Sequence, residues 1–383
     1  MPWLETSPMS EREHFFTLWE QQSHTMSELC RLFNISRKTG YKWVARGKEE
    51  QPDKFGDRSR KPRHSPNQVD AKIEQLVIQA RSKHPCWGAR KLKRYLENQG
   101  YKGIPAASTV TAILRRNDLL SNEKRSRNSF IRFEHEKPND LWQMDFKGHF
   151  ETTRNRCYPL TVLDDHSRYS IVLKALDCEK EKSTKKALIE GFERYGIPDR
   201  MTMDNGNPWG NRRGGGYSSF TIWLMELDIG VSHSRPYHPQ TQGKDERFHR
   251  TLKTEVIEGV PYKSLSDCQR AFDSWREIYN YERPHEALEM QVPASKYKVS
   301  RREYVGNVTE FEYEKDDVIR KVDASGKISF QNYKLFVGQA FHGKRVAVRR
   351  TIKDQNIRIY YRRQHLHKID LSVQKKAKRY CTI

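Results

Sequence analysis

The sequence predicts a multidomain protein with an all-helical front, an α/β layer core and a small all-β tail. Three observations carry that expectation. Apolar residues recur at helical spacing as far as Leu114, short strand-like runs alternate with helix-like runs from Leu160, and beyond residue 299 the repeat shortens to two. At 383 residues the chain is too long for one ordinary domain, and 35% hydrophobic with 11% aromatic residues supply several small cores. Lysine and arginine number 71 against 49 aspartates and glutamates, a formal charge of +22. Self-repulsion of that size is costly unless a polyanion offsets it, so nucleic acid is the expected partner. No run approaches the length of a spanning helix, Met1 to Ser10 lacks a signal-like apolar core, and the six cysteines form no C-x-x-C pair. These features point away from membranes, secretion and the common zinc modules, and toward a reducing bacterial cytoplasm and its nucleoid.

In the front, residues 1–50, Ser10 with Glu13 and Thr25 with Glu28 match the capping-box pattern and predict two short helices. Asn34-Ile35-Ser36 then breaks the chain before the basic segment Arg37 to Trp43, with Ser36 as its cap. This is helix-turn-helix grammar, and Arg37, Lys38, Tyr41 and Lys42 are the candidate DNA contacts. Residues 51–64 form a basic linker broken by Pro52, Gly56 and Pro62. A second helix-turn-helix unit is expected over 65–121, opening at Ser65-Pro66 and presenting Arg90, Lys91 and Arg94 on a basic side. A second basic linker covers 122–136.

The core is expected over 137–298. Leu160 and Val162 pair across the turn Asp164-Asp165-His166-Ser167 with Ile171 to Leu173. A helix follows over Glu179–Tyr195, then a strand Arg200–Asp204, a helix Phe220–Leu227, a strand Gly230–Ser234 and a long helix Lys244–Glu258. The tail, 299–383, alternates through Ile328/Phe330, Leu335/Val337, Val346/Val348 and Ile357/Ile359, as a small barrel or sandwich would.

Three acids sit in distinctive contexts: Asp145 in Trp142–Phe146, Asp204 before Asn205-Gly206, and Glu246 in Lys244–Arg250. A carboxylate inside an apolar strand is costly to bury unless a cation meets it, and converging carboxylates suit Mg²⁺ or Mn²⁺. Asp245 is the rival to Glu246. Helical spacing places 246, 250 and 253 on one face, with Asp245 about 100° away, which favours Glu246 with Arg250 and Lys253 beside a phosphate. Asp164 and Asp165 read as turn residues. Gly338–Lys344 mimics a phosphate-binding loop but leads into a strand, so no nucleotide cofactor is expected. His365 and His367 read as surface or DNA-facing residues.

The words Trp142–Asp145, Asp204–Gly206, Arg235–Lys244 and Glu246–Lys253 resemble the integrase-type DDE core of bacterial insertion-sequence transposases. The resemblance covers roughly Lys137 to Pro293. It implies a ribonuclease-H-like fold, with Asp145 on the first strand, Asp204 after the fourth and Glu246 on the helix beyond the fifth. It also implies magnesium-dependent cleavage and strand transfer, terminal inverted repeats and target DNA as partners, and at least a dimer to hold two ends. Residues 205–245 make a longer spacer than usual, and the surplus around Trp209–Gly216 looks like insertion-sequence family four-eighty-one. That surplus is expected to be a flexible surface loop. The rival readings are a non-catalytic DNA-binding regulator with an inactive core, and a tyrosine recombinase, for which no constellation is present.

Overall fold

The computed structural model describes residues 7–58, 68–120, 134–210, 216–233, 243–306, 308, 310–350 and 356–371. It divides into two compact units, 1–68 and 69–383, so the second helical domain belongs with the core and tail.

The first unit holds α1 (Pro8–Glu20), α2 (Met26–Leu32) and α3 (Arg37–Gly47). The first helix opens two to three residues before the expected cap: Ser7, not Ser10, is the N-cap, with Ser10 as its reciprocal partner. Pro at the first helical position fixes the chain there. The Thr25–Glu28 box forms as expected, the Glu28 carboxylate accepting from the Thr25 amide at 2.7 Å. Ser36 caps α3 through the Thr39 amide at 3.2 Å. Phe15, Phe16, Leu29, Trp43 and Val44 form the core. The two helices approach so closely that a Cβ on Gly47 would lie 2.1 Å from the Phe16 ring.

In the second unit α4 (Ala71–Lys83), α5 (Ala89–Asn98) and α6 (Ala107–Arg116) close on Val77, Trp87, Leu92, Val110 and Ile113. Here too the start differs. Asp70 caps α4 through the Lys72 amide at 2.8 Å, while Ser65 and Pro66 lie outside the described residues.

The core sheet is built from β1 (Trp142–Phe146), the two-residue β2 (Phe150–Glu151), β3 (Arg156–Asp164) and β4 (Ser170–Leu176), then α7 (Glu181–Tyr195), β5 (Arg200–Met203), α8 (Ser219–Glu226) and β6 (Gly230–His233). The long strands lie in the order β4, β3, β1, β5, β6, antiparallel up to β1 and parallel from β1 to β6. Trp142 and Met144 face α7 and α8 with Leu188, Phe192 and Phe220. The opposite face, carrying Leu163 and Leu173, meets Phe248, Leu252, Phe272 and Trp275 of α9 (Gly243–Leu252) and α10 (Leu265–Glu277). The layering is thus α/β/α. The expected long helix 244–258 is α-helical only to Leu252, and Lys253–Ile257 widen into a π turn.

The tail comprises β7 (Val318–Lys321), the hairpin β8 (Lys327–Phe330) with β9 (Tyr333–Phe336), and β10 (Arg345–Arg350), β11 (Asn356–Tyr361) and β12 (Gln364–Asp370). Among the described residues, strands β12, β11, β10 and β7 form one antiparallel sheet and the hairpin a second, so of the barrel and the sandwich expected here the barrel does not close. The apolar core of this tail is continuous with that of the α/β sheet. The Gln364 side chain meets both backbone groups of Val231 on edge strand β6, accepting from its amide at 3.0 Å and donating to its carbonyl at 3.1 Å. Residues Gly338–Lys344 form a short 3₁₀ turn leading into β10, in keeping with the dismissed phosphate loop. His365 is exposed, whereas His367 Nε2 meets the Val337 carbonyl at 2.8 Å and is pinned to the hairpin instead of facing outward.

Candidate active site

Strand parity decides where the first acid goes. Trp142 and Met144 are committed to the α7/α8 face, so Gln143 and Asp145 turn to the α9 face, where Asp145 stands directly across from Thr161. The Asp145 side chain is 24% exposed. Burial first, and then the negative charge of Asp204, push its carboxyl up to about 7; Glu179 and Glu246 add to this and the Phe146 amide opposes it. Asp204 follows β5, the parallel neighbour of β1, and its Oδ1 accepts from the Gly206 amide at 2.8 Å and from the indole N–H of Trp209. Glu246 is exposed on the first turns of α9. Asp145 therefore senses both other acids, yet among the described residues no group of three or more His, Cys, Asp or Glu stands at metal-ligand spacing.

Asp245 is not the bystander that helical spacing suggested. It is 1% exposed, neither carboxylate oxygen has a hydrogen-bond partner among the described residues, and burial, Asp145 and Asp165 raise its carboxyl well above the ordinary range. Of the adjacent acids, Asp245 is the one the fold turns inward.

His249, one turn along α9 from Asp245, bears on whether a cation fits these residues. Burial and then Lys147 lower its imidazole to about 3, so it is neutral at physiological pH. The Thr161 hydroxyl donates its one proton to the Asp145 carbonyl at 3.0 Å, so the 2.8 Å contact with His249 Nε2 requires the ring proton on that nitrogen. His249 Nδ1 then presents a lone pair to Asp145 Oδ2 at 3.9 Å. Two electron-rich atoms facing each other, beside a carboxylate crowded by like charges, fit a site completed by a cation. The carboxylates of Asp145, Asp204 and Glu246 are hard oxygen donors, as Mg²⁺ or Mn²⁺ prefer.

Two residues near the acids escaped the sequence reading. Lys147, just past β1, is half-buried; burial and then Lys253 lower its ammonium, and Glu258 opposes them. It lies two residues beyond Asp145, the strand period that puts both on one face. Trp209 is 1% exposed, stacks on Phe146 at 5.2 Å and donates to Asp204. The expected flexible loop thus begins with a fixed tryptophan; its residues 211–215 are outside the described set, as are 234–242 of the specific word Arg235–Lys244.

The expected DNA contacts divide. Arg37, Lys38, Tyr41 and Lys42 are all exposed on one side of α3. Arg250 and Lys253 are exposed on the outer side of α9 and its π turn. On α5, Arg90 approaches Glu286 at 4.0 Å and Arg94 approaches Glu97 at 3.7 Å. Lys91 is drawn toward the 278–288 segment, where burial and then Arg283 lower its ammonium to about 8. The second helical domain thus faces the core in part, and Lys83 at the end of α4 also pairs with Glu282 at 3.0 Å.

The chain matches the pattern described as an integrase core domain over residues 135–239 and again over 227–293. Helix-turn-helix and homeodomain-like patterns match 11–63 and 39–114. These matches and the mixed sheet define an integrase-core protein with DNA-binding helical domains in front. Residues 317–377 match the IS481 family transposase C-terminal domain, and the domain content as a whole is that of an IS481-type insertion-sequence transposase. A 39.2 kDa protein of insertion element IS476 from Xanthomonas euvesicatoria is 26% identical over 45% of this chain and 49% of its own length. The chain thus spans about half of that relative. A protein described as the transposase for insertion sequence element IS5376, from Geobacillus stearothermophilus, is 21% identical over 94% of this chain and 88% of its own. The integrase catalytic core domain of HTLV-2 is 16% identical, with a TM-score of 0.33, over 43% of this chain and 99% of that one.

Proposed function

We propose that this transposase binds the terminal inverted repeats of its element and both cuts and rejoins DNA strands, with Asp145, Asp204 and Glu246 holding the metal ions. The carrying observation is the electrostatic one: Asp204 from the end of β5 and Glu246 from α9 both act on the largely buried carboxyl of Asp145 on β1 and raise it. Magnesium, or manganese in its place, would supply charge neutralisation at the attacking and leaving oxygens of an in-line displacement.

The protein's own residues bind and orient the strands. Exposed Arg250 and Lys253, with half-buried Lys147, flank the acids and hold the phosphates on either side of the reacting one. In the first reaction water forms a bond to phosphorus and the bond to the 3′ oxygen breaks, leaving a 3′ hydroxyl and a 5′ phosphate. In the second that hydroxyl forms a bond to a target phosphorus and displaces the target's own 3′ oxygen. One phosphodiester is exchanged for another, so neither ATP nor a covalent protein intermediate is required. The helical front, through Arg37, Lys38, Tyr41 and Lys42, reads the ends, and two ends held together call for at least two subunits.

The test is end cleavage with Mg²⁺ and with chelator. Single Ala variants of Asp145, Asp204 and Glu246 abolish cutting while end binding persists; cutting by any one of them would remove that residue from the set. A regulator with an inactive core would bind and cut in neither condition. A second reading, with Asp245 as the third ligand in place of Glu246, is favoured by its two buried carboxylate oxygens, which have no hydrogen-bond partner among the described residues. Comparison of Asp245→Asn with Glu246→Gln decides between them.

A further inference from the structure

Of the two turn aspartates, Asp164 serves its own turn, accepting from the Ser167 amide at 2.8 Å and the Ser167 hydroxyl at 2.5 Å, and also from the Asn139 amide at 2.7 Å. Asp165 is 1% exposed and spends its carboxylate on distant elements. Its Oδ1 accepts from Gln143 Nε2 at 2.6 Å and meets Lys244 Nζ at 2.5 Å; its Oδ2 accepts from the His135 amide at 2.9 Å and meets His135 Nδ1 at 3.2 Å. Its carbonyl accepts from Lys244 Nζ as well, at 3.1 Å.

The two side chains gathered on Oδ1 are placed alike. Gln143 lies two residues before Asp145 on the same face of β1, and Lys244 lies two residues before Glu246 in the first turn of α9. One buried oxygen therefore ties the strand that carries the first acid to the helix that carries the third. The ammonium is largely enclosed, with its side chain 17% exposed, so the link is shielded from competing water.

We infer that Asp165 is a positioning residue: through Lys244 and Gln143 it fixes the first turn of α9 against β1, and so sets the distance between Glu246 and Asp145. This rests on the reading of those two acids as metal ligands. Asp165 touches no reacting atom in this scheme. Its effect is on how well metal is held, since outer partners that orient ligands typically change metal affinity by about 10- to 100-fold.

The experiment uses the full chain with Asp165→Asn, Lys244→Gln, their double variant and Glu246→Gln as reference. Two quantities are measured: the half-saturating Mg²⁺ concentration for end cleavage, and amide hydrogen exchange over residues 243–250 in metal-free protein. End binding by mobility shift reports that the fold is intact. The expected result is a rise of about 10- to 100-fold in the Mg²⁺ requirement of each single variant, faster exchange confined to the start of α9, and a double variant no worse than the poorer single. Unchanged exchange and unchanged Mg²⁺ dependence in both single variants, with Glu246→Gln inactive, would overturn the inference alone. Retained cutting by Glu246→Gln would remove the metal-ligand reading beneath it, whatever the exchange data give.

Discussion

Replacing Asp145 by asparagine should stabilise the metal-free protein at alkaline pH, although it destroys the proposed site. The carboxyl, ordinarily near 3.8, is pushed to about 7 by burial and by Asp204. The folded chain therefore holds a proton between those values that the unfolded chain has released. Stability falls as pH rises through that window, and the full penalty stands above about 7. At about 1.4 kcal/mol per pH unit, the three-unit rise sets an upper bound of about 4 kcal/mol. The partial exposure of the side chain and relaxation of its neighbours reduce the expected gain to about 1–3 kcal/mol. Asparagine keeps the shape and removes the charge. In a thermal melt with chelator, the variant should melt a few degrees above wild type at pH 8, at about 2–4 °C per kcal/mol for a unit of this size. The gap should close toward pH 4, and saturating Mg²⁺ should raise wild type but not the variant. A variant that melts below wild type at pH 8, or a gap that does not depend on pH, would refute the account of Asp145 as a charge waiting for a cation.

Gly47→Ala should cost about 1–3 kcal/mol by forcing the Phe16 ring aside, seen as faster amide exchange in α1 and α3 of the full chain and weaker end binding. Trp209→Phe keeps an aromatic ring on Phe146 but removes the indole donor to Asp204. Cleavage should need more Mg²⁺ with end binding unchanged, and an unaltered metal curve would show that the donor plays no part. His84 is stacked on Trp87 at 3.7 Å, and burial, then Lys83, lower its imidazole to about 4. Because the unfolded chain takes up a proton near 6.5, this residue makes stability fall as pH drops from about 6.5 to 4, by at most about 3 kcal/mol. His84→Phe should lose less of its melting temperature between pH 7 and 4.5 than wild type does.

Local rules reached far into this fold. Ser36 and the Thr25–Glu28 pair could be read because a cap is a contact between near neighbours, and the succession of strands and helices from Leu160 onward followed from alternating element types with Gly196 and Pro198 as stops. Helix starts slipped where two candidate caps lay within a turn of each other, as Ser7 and Ser10 do. The site was legible as a set of words but not as contacts. Spacing on an ideal helix could say that Asp245 and Glu246 diverge, yet not which of them the sheet would bury. Nor could it show that Trp209, in a glycine-rich stretch, swings back to Asp204, or that Lys91 faces the core. Those outcomes rest on packing against distant elements, such as Phe146 under the Trp209 ring, or the pairing of Arg283 and Glu255 at 3.1 Å that shapes the surroundings of Lys91.

The bond pair from Gln364 to Val231 has a practical side. An outermost strand with bare amides and carbonyls invites another chain to pair with it, and here a glutamine amide occupies both groups of one residue while the tail's apolar side chains cover the adjoining face. Cutting the protein after residue 298 to obtain a minimal core would uncover a sticky margin and an oily patch together. Such a fragment should precipitate, and a longer one that retains β10 to β12 should stay in solution.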